Sequence, residues 1–233
     1  KIINMVEVIP AILVDDFDEL KEKLAIYKGS SKLVQIDVCD GQFVETISWP
    51  LGRNDAESLS SILDEEEGMP YWTDLDFEFD LMVKDAHEQF DMFVQLGAKR
   101  IVFHLEAERE ESFRDFLESI DPYTRDNIEI GLAINTSTKI DDLDKFINYV
   151  DFIQCMGIEK IGLQGQPFDN RVLDQISSIH KKYPEIPISV DGSVNEKTAQ
   201  DLVDKGASRL VIGSALLKTY NIKEKISEFE SLN

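Results

Sequence analysis

Short runs rich in β-branched and aromatic residues alternate with amphipathic helical runs along the whole 233-residue chain. The strand candidates are Val6–Val14, Lys32–Cys39, Leu75–Val83, Arg100–Glu106, Ile128–Asn135, Phe152–Ile158, Ile186–Val190 and Arg209–Ile212. Helical spacing follows each of them, as in DDFDELKEKLAIY, DAHEQFDMFVQLG, ESFRDFLESI, IDDLDKFINYV, NRVLDQISSIHKKY, NEKTAQDLVDKG and IKEKISEFESL. Gly97 and Gly206 stand where two of these helices should stop. Eight such units in a chain of this length predict α/β architecture closed into a (β/α)8 TIM barrel, with an open doubly wound sheet as the alternative. No Pro/Gly/Ser-rich linker divides the chain, so one domain over residues 1–233 is expected. The segment Leu51–Asp74, with its DEEEG run, is the least regular part and reads as an exposed excursion with a short helix.

The parity of side chains along each strand carries the functional signal. In KLVQIDVCDG, Val34, Ile36 and Val38 form an apolar face, so Gln35, Asp37 and Cys39 should point into the barrel. The same rule sends Asp80 and Met82, Asp191, and His104 inward from their strands. Asp37, Asp80 and Asp191 fall toward C-terminal strand ends, where barrel enzymes hold their sites. Three carboxylates confined together require raised pKa values, a cation, or hydrogen-bond donors. Each could instead cap a loop, but three in one parity favour a site.

Composition narrows the ligand. The formal charge is -22, from 46 acids against 24 bases. Nucleic acid and anionic membranes are bound mainly by clustered Lys and Arg, so neither is expected as a partner. There is no apolar run of about 18 residues, so no membrane span is expected. The opening KIINMVEVIPAILVDDF lacks a small-residue cleavage site, which argues against a signal peptide. Two cysteines, Cys39 and Cys155, make no disulfide framework and fit a reducing cytoplasm. They read as packing residues; His87 and His180 read as surface, and His104 as a hydrogen-bonded core residue.

Ordered motifs add a resemblance. VIPAILVDDF, LVQIDVCDGQFV, FEFDLMV, IVFHLEA, IGLAINTST, MGIEKIGLQGQPF, ISVDGS and VIGSAL resemble, in order and spacing, the ribulose-phosphate 3-epimerases. Asp37, Asp40 and Gly41 match that family's second-strand signature. The resemblance implies a ribulose-phosphate-binding barrel acting on a keto-sugar phosphate, of the ribulose 5-phosphate to xylulose 5-phosphate type. Asp37 and Asp191 match the pair that removes and returns a proton on opposite faces of the substrate. It also implies phosphate binding by Gly162, Gly165, Gln166, Gly192, Ser193, Gly213 and Ser214, where close backbone N–H groups could hold an anion without Lys or Arg.

The departures from the family pattern concern the metal. The family's two ligand histidines correspond to Gln35 and Asp80, which with Asp37 and Asp191 make an all-oxygen set. Such a set suits magnesium or manganese better than zinc, or holds no metal. The substrate-contacting serine is Ala11, and a methionine is Cys39, while Met82 and Met156 persist as an apolar cushion. The glycine loop is one residue longer with Gln164 at its second glycine, and Ser193 replaces a further glycine. A different lyase or decarboxylase reaction on the same barrel, and a non-catalytic sugar-phosphate binder without metal, are the competing expectations. The resemblance also allows a homo-oligomer.

Overall fold

The structure is a computed structural model that describes residues 5–52 and 55–233. The opening KIIN and positions 53–54 of the expected excursion lie outside the described residues. Strands β1 (Glu7–Leu13), β2 (Leu33–Cys39), β3 (Asp76–Met82), β4 (Ala98–His104), β5 (Glu129–Ile134), β6 (Phe152–Met156), β7 (Ile188–Asp191) and β8 (Arg209–Ile212) close into a barrel in chain order. Every neighbouring pair is parallel, β8 returning to β1. The eight expected strands are all present, with ends shifted by at most two residues and β8 unchanged. No helix among the described residues is long and apolar enough to cross a membrane.

Helices α1 (Phe17–Tyr27), α2 (Ala56–Leu63), α3 (Phe90–Gln95), α4 (Glu110–Ser119), α5 (Pro122–Asn127), α6 (Arg171–Lys182), α7 (Ala199–Asp204), α8 (Ser214–Leu217) and α9 (Ile222–Glu230) cover the outside. The sequence places α1 well: Phe17, Leu20, Leu24 and Tyr27 are its buried stripe, and the Asp16 side chain accepts the Glu19 N–H at the N-cap. Three local departures have physical causes. IDDLDKFINYV forms a 3-10 segment, Ile140–Lys145; its buried Leu143 and Phe146 are three residues apart, a spacing that a three-residue turn eclipses on one side. DAHEQFDMFVQLG opens on a 3-10 turn, Ala86–Gln89, because Asp85 before it is left-handed at φ 49°. The short α5 was not anticipated, although Asp121 caps it through the Thr124 N–H and Pro122 opens it. The acidic run Asp64–Gly68 is exposed, as expected.

Parity sorts the barrel as anticipated. Val34, Ile36, Val38, Phe77, Phe79, Leu81, Ile101 and Phe103 pack beneath the helices. Inward positions near the N-terminal end hold an unanticipated ion network. Arg100 reaches Glu7 at 3.0 Å and Glu129 at 3.2 Å, and Arg209 reaches the same two acids at 3.0 and 2.9 Å. Glu78, in register with Arg100, is wholly buried, 3.7 Å from the Arg100 guanidinium and with neither carboxylate oxygen hydrogen-bonded. Two guanidiniums are already balanced by Glu7 and Glu129, so a third negative charge has no counterpart. Burial therefore pushes Glu78 up to about 8, against the pull of both arginines.

This has a pH consequence. The folded value of Glu78 exceeds its ordinary 4.5, so the native state binds the extra proton. Stability from this group is greatest below about 4.5 and falls as pH rises through the window to about 8. Glu78→Gln keeps the neutral shape at every pH. Its Tm relative to the parent should rise progressively between pH 5 and pH 8.5; a difference that stays constant across that range contradicts the assignment.

Candidate active site

Three strands bring the anticipated acids to one point in the lumen. Asp37 on β2 pairs in register with Asp80 on β3, and Asp191 ends β7. One oxygen from each carboxylate lies within 4.8 Å of those of the others. Between β7 and β2 run β8 and β1, whose inward residues at this level include Val211 and Ala11. Ala11 is in register with Gln35, and Leu13 with Asp37.

Two specific arrangements hold the acids, of which Asp80 is fully buried. Gln35, itself fully buried, donates its Nε2 to Asp37 Oδ1 at 2.8 Å and to Asp191 Oδ2 at 3.0 Å, so one amide joins two carboxylates. His104 Nε2 meets Asp80 Oδ1 at 2.9 Å, both side chains wholly buried. Burial raises Asp37 well above the ordinary carboxylate range, and the Asp191 and Asp80 charges raise it further. Burial and then Asp80 likewise raise Asp191, while the Gln35 amide opposes both shifts. Burial alone would lower the His104 pKa; the Asp80 charge more than offsets this, and the imidazole ends above its usual value. The anticipated hydrogen-bonded core histidine is thus the partner of a site carboxylate.

Above the acids opens a cavity of about 490 Å³. Ala11, Asp37, Met82, Met156 and Asp191 form its inner wall. Gly162, Gly165, Gln166, Gly192, Ser193, Gly213 and Ser214 are also among its lining residues, as are Lys197 and Lys218, which strand parity could not single out because both lie outside strands. Gln35, Asp80 and Cys39 are not on the cavity wall; they are fully buried. Cys39 packs with Val44 and Met82, and burial pushes its thiol far up, as burial also does for Cys155. Neither cysteine is poised as a nucleophile.

Backbone geometry explains two of the glycines. Gly192 has φ 104°, and a Cβ there would stand 2.9 Å from Ile158. Gly162 has φ 76°, and a Cβ would meet Val44 at 2.8 Å, so the loops after β2 and β6 close against each other only with glycine. Thr46 donates to the Gly162 carbonyl at 2.6 Å across the same seam. Asp40 orders the first of these loops, accepting the backbone N–H groups of Gln42, Phe43 and Lys84 at 2.8–2.9 Å. Ser193, left-handed at φ 54°, donates its hydroxyl to the Gln166 carbonyl and so ties the β6 and β7 connections.

A second cluster, Asp85, His87 and Glu108, also converges within 4.8 Å. It is satisfied internally: His87 Nδ1 pairs with Glu108, and Asp85 takes Arg109 Nε at 2.9 Å. His87 is therefore not the surface residue expected. Its side chain is 8% exposed and lies against Phe113 and Phe116, because the turn that holds it folds inward to meet Glu108. His180 is exposed on α6, as expected.

Comparison with known proteins agrees with this geometry. A model of the ribulose-phosphate 3 epimerase family matches residues 7–217. The chain belongs to that family. Relatives named ribulose-phosphate 3-epimerase include those of Chlamydia muridarum (30% identical, covering 86% of this chain and 84% of that one) and Bacillus subtilis (28%, 96% and 98%). That of Eremothecium gossypii is 27% identical, covering 94% of this chain and 89% of its own. Among solved structures, a KGPDC from Streptococcus mutans aligns with a TM-score of 0.68 at 12% identity, covering 97% of this chain and 95% of that one. A 3-hexulose-6-phosphate synthase from Salmonella typhimurium gives 0.64 at 11%, covering 96% of each. These two likenesses show the shared barrel alone.

The donor set within this family member fits a divalent cation. Asp80 Oδ2 and Gln35 Oε1 are buried polar atoms without partners, beside three converging carboxylates. The Asp80–His104 pairing can be tested without any ligand. His104→Leu leaves Asp80 buried and unpaired and should cost about 3–5 kcal/mol. Adding Asp80→Asn should recover much of the loss in urea unfolding, a strongly non-additive cycle. Additive losses would show that the two side chains act separately.

Proposed function

We propose that this chain is a ribulose-phosphate 3-epimerase, interconverting ribulose 5-phosphate and xylulose 5-phosphate by proton transfer at the third carbon. The observation that carries this reading is that Asp37 and Asp191 both line the cavity and are joined by the buried Gln35 amide. The two aspartates come from strands separated by β8 and β1, so they approach the lumen from different sides. A substrate carbon held between them would meet one carboxylate on each face. Their shared environment disfavours two negative charges, which supports one ionised base and one protonated acid at a time. Epimerisation needs that asymmetry and reverses it on each turnover.

The remaining side chains have supporting roles in this reading. Met82 and Met156 present apolar surface beside the acids and keep water from the reacting carbon. Gln35 holds the two carboxylates in register through one amide. The glycine-lined wall formed by the β6, β7 and β8 connections takes the phosphate on backbone N–H groups, so the partner is a phosphorylated sugar. Asp37, Asp80 and Asp191 would hold a divalent cation, with Gln35 Oε1 as a further oxygen donor. When bound, such an ion supplies positive charge against the negative charge that develops on the substrate oxygens. An all-oxygen set supports magnesium or manganese over zinc. Two buried, unpaired cysteines support a cytoplasmic setting.

The test is incubation with ribulose 5-phosphate in heavy water, with magnesium, manganese or zinc added in separate runs. The expected result is xylulose 5-phosphate carrying deuterium at its third carbon, formed faster with magnesium or manganese. Asp37→Asn and Asp191→Asn should each slow interconversion by about 10²–10⁴-fold. Each variant should still exchange deuterium into one epimer, and the two variants should exchange opposite epimers. Neither product nor isotope uptake with any metal would overturn the reading.

A further inference from the structure

A chain with 46 acids and 24 bases repels an anionic substrate at long range, so local charge must reverse that field at the cavity. The cations among the described residues lining the cavity are Lys197 and Lys218. Both ammonium groups are without an ion pair among the described residues. Elsewhere on the surface, acids engage their neighbours: Lys182 meets Asp141 at 2.7 Å and Asp144 at 2.8 Å, and Lys145 meets Glu110 at 2.6 Å. The acid on the cavity wall nearest in sequence to Lys197 is Glu196, and Lys225 of α9 already holds it at 3.0 Å.

Placement gives these two lysines a direction. Lys218 follows α8 directly, four residues after Ser214, the cavity-lining residue that begins this helix. Residues four apart share a helix face, and long side chains lean toward the N-terminal turn. Lys218 is thereby carried toward the Gly213–Ser214 end. Lys197 lies in the turn after β7, beyond Gly192 and Ser193, in the other connection that lines this wall. Both cations belong to the connections after β7 and β8 that are expected to take the phosphate.

We propose that Lys218, assisted by Lys197, is the phosphate-selecting cation of the cavity. It distinguishes a keto sugar bearing a phosphate dianion from its unphosphorylated counterpart. The backbone N–H groups hold the anion's oxygens, and the lysines supply the charge that those dipoles lack. The proposal rests on the phosphate-binding reading given above and adds to it a specificity determinant.

The experiment measures inorganic phosphate binding to the full chain by calorimetry at low ionic strength. Lys218→Met should bind phosphate roughly fivefold more weakly, the size expected for a partly exposed charge pair. Lys218→Arg should stay within about twofold of the parent, because it retains the charge. Lys197→Met should weaken binding by less, and Lys223→Met on exposed α9 should match the parent. The salt dependence of phosphate affinity should also flatten in Lys218→Met. If the parent binds phosphate and Lys218→Met binds it equally well, the lysine role is overturned while the phosphate site stands. If the parent binds no phosphate, both are overturned.

Discussion

Crowding three carboxylates, one buried and two half-buried, in the centre of a barrel is the constraint on which the site depends. Ionised acids lose hydration there and repel one another, so each needs a partner or a proton. The structure divides the task. His104 supports Asp80 from β4, and Gln35 binds Asp37 and Asp191 to one amide. This leaves the second and seventh strands with a pair of acids whose charge states are linked. Such linkage is costly for stability and useful for moving a proton between two faces of a carbon. The ion network below follows the same rule, with Glu78 kept neutral beside two guanidiniums that Glu7 and Glu129 already balance.

Loop construction then determines what can reach the acids. Asp40 orders the β2 connection, Gly162 lets it close against the β6 connection, and Ser193 ties the latter to β7. The result is a cavity of about 490 Å³ lined by both Asp37 and Asp191 and by glycine-rich backbone. In the proposed reading, an acidic chain hosts a phosphorylated ligand by leaving anchoring to main-chain dipoles and the two lysines on the cavity wall.

Much of this arrangement could be read from alternation alone. A strand whose apolar residues are Val34, Ile36 and Val38 must send Gln35 and Asp37 inward, and the same holds for Asp80 and Asp191. The pairings could not be read that way. Asp80 lies opposite Val102 in register, so its contact with His104 depends on strand stagger, which a single sequence does not encode. Glu7, Glu78, Arg100, Glu129 and Arg209 share the inward parity too, but sequence alone does not show that they meet. His87 misled because its turn is not α-helical, and its ring follows Glu108 rather than a helix face. Lys218 lies outside the strands, so alternation says nothing of it; the cavity places it. The short α5 did announce itself, in the Asp121–Pro122 start.

The linked charge state of Asp37 and Asp191 is most directly observed by carbon NMR of carboxylate-labelled aspartate, titrated in the parent and in Gln35→Leu. The account requires a carboxyl signal from this pair that keeps its proton well above the ordinary aspartate range, and that moves when the amide is removed. Two signals that both titrate near the ordinary value of 3.8, unaffected by the loss of Gln35, would contradict it.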